Sequence, residues 1–188
     1  MPPKFKFTRD EVLRAALDLT REKGMIAVTA RGVAERLGCS VKPVFGLFKN
    51  MEEVHRAVIS SAKALFENYV AETTASGKYP PYKASGMAYI RFAIEERELF
   101  KLLYMRDRSH ENIQNDAQEI KPILELLKES LGLTEEKASL FHLEMWVYVH
   151  GIATMLATSY LDWDIKLTEQ VITDAYEGLK YRFTGGNK

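Results

Sequence analysis

The segment TARGVAERLGCSVKPVFGLFKNM, residues 29–51, constrains this chain more than any other. Thr29 can cap a helix by offering its hydroxyl to free backbone N–H groups. Val33, Ala34 and Leu37 follow at helical spacing and make one apolar face. Gly38 tolerates the left-handed backbone that ends a helix. Ser40 stands where a cap for a second helix is wanted. Pro43 falls in that helix's first turn, where its missing N–H costs little. Val44 and Phe48 point back to a core, leaving Val41, Lys42, Phe45 and Gly46 outside. Helix, tight turn and short helix at this spacing describe a helix-turn-helix, whose second helix fits the major groove of DNA. A plain helical hairpin in an all-helical protein is the alternative.

The whole chain is 46% apolar with little glycine or proline, and the remainder has long stretches of period 3.6, which predicts an all-α fold. Thr8 and Glu11 form a capping box for a first helix, with Leu13, Ala16, Leu17 and Thr20 on one face and Gly24 as its stop. Asn50 can cap a long helix whose stripe is Val54, Val58, Ala62, Leu65, Phe66 and Tyr69. The stretch from Thr73 to Pro81 reads as a break. Beyond it the pattern gives helices from about Tyr82 to Glu96, near Leu99 to Met105, and on to about Leu131 with a kink at Pro122. Thr134 caps the next helix, running to about Tyr160, and Thr168 caps the last. Nine helices result.

Charge is uneven. Residues 1–56 carry 11 Lys and Arg against 7 Asp and Glu, a net +4 that the remainder of the chain balances. A basic head on an acidic body suits nucleic-acid binding at the head. The basic arm MPPKFKF, residues 1–7, reads as a disordered terminus, with a backbone or minor-groove contact as the alternative. The lone Cys39 excludes an internal disulfide. No charged-then-apolar leader opens the sequence, and the most apolar run, Met145 to Ala157, is too short to span a bilayer, so a cytoplasmic location without membrane contact is expected.

Residues Ala15–Ala16, Leu19, Gly24, Val28–Thr29, Val33–Ala34, Gly38, Ser40, Val44, Phe48 and Asn50 carry a resemblance. The first 70 or so residues resemble the DNA-binding head of the TetR family of bacterial repressors. Phe45 stands where that family usually has tyrosine, Leu47 where it has histidine or tyrosine, and Met51 where lysine is typical. Those family residues are typically phosphate contacts, which set register rather than sequence. Lys42, Lys49, Arg31 and Thr29 are candidates to replace part of that grip. The resemblance implies a nine-helix fold with a head over residues 1–50 and a regulatory and dimerisation body over 51–188. Within the head, Val41, Lys42, Phe45 and Gly46 would meet base edges, and Thr29, Arg31, Ser40 and Lys49 phosphates.

The run from 134 to 160 is apolar almost all round, with Leu140, Phe141, Leu143, Met145, Trp146, Val147, Tyr148, Val149, Ile152 and Met155. Such a helix must be buried on several sides, one of them against a second copy of the chain. Trp146, His150 and Gly151 resemble the Trp-His-Gly signature of one C-terminal subclass of the family. Family resemblance implies a homodimer through the last two helices and an effector pocket in each body. Tyr89, Phe92, Tyr104, Met105, Phe141, Met145, Tyr148 and Met155 are the candidates to line that pocket, ordinary core packing being the alternative for most of them. His142, Glu144 and His150 lack the i, i+4 spacing of a good chelate, so no metal is expected. No cofactor is implied, and no phosphate loop or nucleophile elbow marks an enzyme. Two readings stand: a ligand-responsive transcriptional regulator, a repressor that binds a near-palindromic double-stranded operator as a homodimer; or a related helical dimer that binds a small molecule or protein with weak or lost DNA binding.

Overall fold

The computed structural model describes the backbone of residues 7–107 and 114–185, with side chains of 114–119 outside the description. The basic arm falls outside it except for Phe7. Among the described residues there are nine α-helices and no strand: α1 Arg9–Lys23, α2 Ala30–Arg36, α3 Lys42–Leu47, α4 Met51–Ala75, α5 Pro81–Glu95, α6 Arg97–Tyr104, α7 Gln114–Leu131, α8 Glu135–Ala157 and α9 Ile165–Thr184. A short 3-10 turn, Met25–Ala27, joins α1 to the segment before α2. None of these helices is long and apolar enough to cross a membrane.

The chain forms two compact units. The first comprises residues 1–68 and 95–106, and the second 69–94 and 107–188. In the first, α1 packs on α2 and on α6, and α2 on α3. Its core is Val12, Ala15, Ala16, Leu19, Val28, Val33, Val44, Phe48, Val54 and Val58, with Leu102 of α6 packed against it. Thr8 caps α1 in a reciprocal box with Glu11, as the sequence predicts. The buried stripe of α1 is Val12, Ala15, Ala16, Leu19 and Thr20 rather than the expected Leu13, Ala16, Leu17 and Thr20. Leu13 and Leu17 lie on the shoulder of that face and are partly buried against the same core.

In the second unit α8 packs on α7 and α9. Buried residues Phe141, Met145, Val149, Ile152 and Leu156 mark its inner face. Phe141 sits among Tyr176 and Phe183, each with ring centroids 5.5 Å away and nearly perpendicular planes, and Tyr82 at 6.0 Å. Edge-to-face packing of this kind adds to the apolar burial.

Three further expectations are corrected. The break after α4 is short, because the helix runs on to Ala75. Thr73 is buried, and its hydroxyl donates to the Tyr69 carbonyl, which lets a threonine sit inside the helix. Asp164, not Thr168, caps α9, its carboxylate accepting from Leu167 N–H at 2.8 Å. Thr168 is instead buried one turn inside and donates back to the Asp164 carbonyl. Finally, Ser40 is no cap for α3, as described below.

Candidate nucleic-acid interface

Local hydrogen bonds build the interface from α2 outward. Thr29 is extended (φ −111°, ψ 162°), and its hydroxyl oxygen accepts from Gly32 N–H at 3.0 Å. Gly32 has a role the sequence reading missed. A Cβ there would lie 2.5 Å from the Ala27 carbonyl oxygen, so only glycine lets the entering chain pass this close to α2. The helix ends in a Schellman arrangement: Gly38 (φ +63°) donates to the Glu35 carbonyl and Cys39 N–H to that of Ala34. Cys39 thus contributes its backbone to the turn. The first helical carbonyl to accept is that of Val41, from Val44 and Phe45 N–H, so α3 begins at Lys42, one residue later than a Ser40 cap would set, and no side chain caps it. Pro43 occupies its first turn, as expected.

Val44 and Phe48 anchor α3 in the core. Its far end is held by Arg9, a residue with no sequence signal for this work. The Arg9 guanidinium donates to the Leu47 carbonyl at 2.9 Å and to Glu53 Oε1 at 2.8 Å, and lies 4.0 Å from the centre of the Phe48 ring. It thereby satisfies a carbonyl that the end of α3 leaves without an intrahelical partner. Glu53 also accepts from Lys49 N–H at 2.7 Å, while Glu53 N–H donates to the capping Asn50 at 2.9 Å. Its carboxyl is held below the ordinary 4.5, first by the Lys49 N–H and then by Arg9. From the side, His55 Nε2–H donates to the Val28 carbonyl at 2.8 Å, tying α4 to the chain entering α2.

Thr29, Arg31, Ser40, Val41, Lys42, Phe45, Gly46 and Lys49 are all exposed and all belong to the first unit. Leu47 and Met51, by contrast, pack against the core of that unit. Arg9, Arg21, Arg36 and Arg56 are each neutralised by an acid, whereas Arg31, Lys42 and Lys49 make no ion pair among the described residues.

The body candidates do not share one setting. Tyr89, Phe92, Phe141 and Met145 are buried in the second unit, Met155 is half-buried and Tyr148 exposed. Tyr104 and Met105 belong to the first unit, where Tyr104 meets Phe66 and Phe100. Phe92 contacts Tyr69 edge-on at 5.4 Å. The Tyr89 hydroxyl and His150 Nδ1 share a hydrogen bond of 2.8 Å, and the His150 ring stacks on Trp146 at 5.0 Å. The Tyr82 hydroxyl meets His142 Nδ1 at 3.2 Å. Burial lowers the affinity of both imidazoles for a proton. An open groove of about 450 Å³ lies elsewhere in this unit, between Gly132, Thr134, Lys137, Lys180 and Phe183, and none of the eight candidates lines it.

Residues 82–175, half of the chain, match the family model described as Tetracyclin repressor-like, C-terminal domain. The chain belongs to the TetR family. Solved structures of similar fold include a TetR-like transcriptional regulator from Rhodococcus sp. RHA1, with a TM-score of 0.67 and 16% identity over 97% of this chain and 100% of that one. A second is a protein assigned to the TetR family from Vibrio parahaemolyticus, at 0.64 and 16% over 90% and 96%. No curated protein matches the sequence. Membership in the TetR family makes this chain a transcriptional regulator by family, with its all-α architecture shared along nearly the whole length of both structures.

Proposed function

We propose that this TetR family member is a ligand-responsive repressor that binds a near-palindromic operator as a homodimer. One observation carries the reading. The short helix α3 is pinned by Val44, Phe48 and Arg9 while Val41, Lys42, Phe45 and Gly46 stay exposed beside cations that make no ion pair among the described residues. Lys42 and its neighbours would meet base edges; Thr29, Arg31, Ser40 and Lys49 would meet phosphates. The Thr29 hydroxyl already accepts from Gly32, so it would serve a phosphate as donor.

The homodimer rests on α8 and α9. Leu140, Leu143, Trp146, Val147 and Tyr148 of α8 and Ile165, Leu167 and Tyr181 of α9 are large, apolar and exposed. Two heads about 34 Å apart would then read two half-sites. An effector in the body represses or releases the operator only if it favours one head separation over the other. Since α4 contributes residues to both units, it is the natural element to carry that preference.

A second reading has its own support. Leu47 and Met51 pack inward at positions where the family typically places phosphate contacts, which favours a helical dimer with weakened DNA binding. Gel-shift titration against the duplex upstream of the chain's own gene separates the two. The repressor reading expects Lys42→Ala to weaken binding and alter preference at one base pair. A uniform loss across all duplexes would make Lys42 a phosphate contact, and no shift with the parent protein would favour the second reading.

A further inference from the structure

We propose that Val41 and Phe45 form a two-pronged reader of thymine methyl groups, so that each half-site carries two thymines met by this pair. The inference rests on the DNA-binding reading above and adds the chemistry of what is read.

The two residues are one helical turn apart, since Phe45 N–H donates to the Val41 carbonyl at 3.4 Å, which places both side chains on one face. They are 36% and 50% exposed, whereas Val44 and Phe48 of the same segment are sealed in the core. Neither can donate or accept a hydrogen bond from its side chain. In the major groove the apolar group that a base edge offers is the C5-methyl of thymine. The segment's surroundings say what covers this face. Arg31, Lys42 and Lys49 are exposed and make no ion pair among the described residues, an arrangement suited to a polyanion rather than to an apolar protein surface. Gly46, exposed and without a side chain, leaves room beside Phe45 for close approach. The spacing also fits. Side chains one turn apart have Cβ atoms roughly 5–6 Å apart, which lies between one and two base-pair steps of about 3.4 Å.

The test uses the full chain. A duplex is selected from a random library at low salt, and its thymines are replaced one at a time by deoxyuridine, which deletes only the methyl. Two positions in each half-site should lose about three- to fivefold in affinity, the worth of one buried carbon. Phe45→Ala should abolish the thymine-over-uracil preference at one of them and Val41→Ala at the other, each variant binding the all-thymine duplex at least about three- to fivefold more weakly than the parent. Equal affinity for all the uracil duplexes, or an unchanged preference in both variants, would overturn the methyl reader and leave the DNA reading intact. A selection that retains no duplex would overturn both.

Discussion

Salt dependence tests the interface most directly, because its size can be worked out from which cations make no ion pair. Arg31, Lys42 and Lys49 make no ion pair among the described residues, so these charges can release counterions from DNA. With Lys42 on a base edge, Arg31 and Lys49 from two heads neutralise about four phosphates, and at about −0.9 per phosphate the log–log slope is about −3.6. Raising salt from about 50 to 200 mM then weakens binding about 150-fold. With Lys42 also on a phosphate the slope steepens to about −5.4 and the loss to about 1,800-fold. Arg31→Ala removes one contact per head and should flatten the slope by about 1.8. Arg36→Ala is the control, since Arg36 is already paired with Glu22 at 2.7 Å. Fluorescence anisotropy of a labelled duplex over a series of salt concentrations gives the slope. A value shallower than about −2, or one that neither Arg31→Ala nor Lys49→Ala moves, refutes the assignment of these cations to phosphates.

Other measurements probe the body. Phe141→Ala removes a buried ring from among Tyr82, Tyr176 and Phe183 and should cost about 3–5 kcal/mol in urea unfolding; a loss under about 1 kcal/mol would show that the ring is not a packing anchor. Leu143→Glu combined with Val147→Glu places charge where 53% and 57% of these side chains are exposed, and sedimentation should report a monomer; an intact dimer would move the interface elsewhere. His142 and His150 both bind protons less readily when folded, because burial disfavours the imidazolium. The unfolded chain therefore takes up protons first as pH falls through the ordinary 6.5, and stability should decline below that value. His142→Gln should reduce the decline, and an unchanged pH profile would place its origin in other groups.

Much of the architecture was readable because short-range chemistry announces it. Thr8, Thr29, Asn50 and Thr134 cap the helices expected of them, each by a side-chain oxygen accepting from a backbone N–H three residues on. Val54, Val58 and Ala62 are fully buried, as their spacing requires. Errors arose where two residues competed for one task. Asp164 and Thr168 are both good caps one turn apart, and burial of Thr168 decided between them. Similarly, the α1 stripe lies one position from the expected one, because α1 packs against α2 and α6, and α6 lies far along the chain, so periodicity within α1 alone cannot place the face. The candidate interface was legible as a stretch of exposed residues. Its supports were not: Arg9 reaches Leu47 across 38 positions, and the approach of Ala27 to Gly32 depends on how the 3-10 turn folds. Apolar residues of α8 could be recognised, but periodicity alone could not divide Phe141 and Met145 from Leu143 and Val147 when the whole circumference is apolar.

One carboxylate, that of Glu53, sits at the root of the long helix and accepts from both the arginine that holds the end of α3 and the amide of Lys49 that follows it. Glu53 thus fastens the end of α3 to the first turn of α4, and if α3 is the element that meets DNA, a tilt of α4 would reach it through these two bonds.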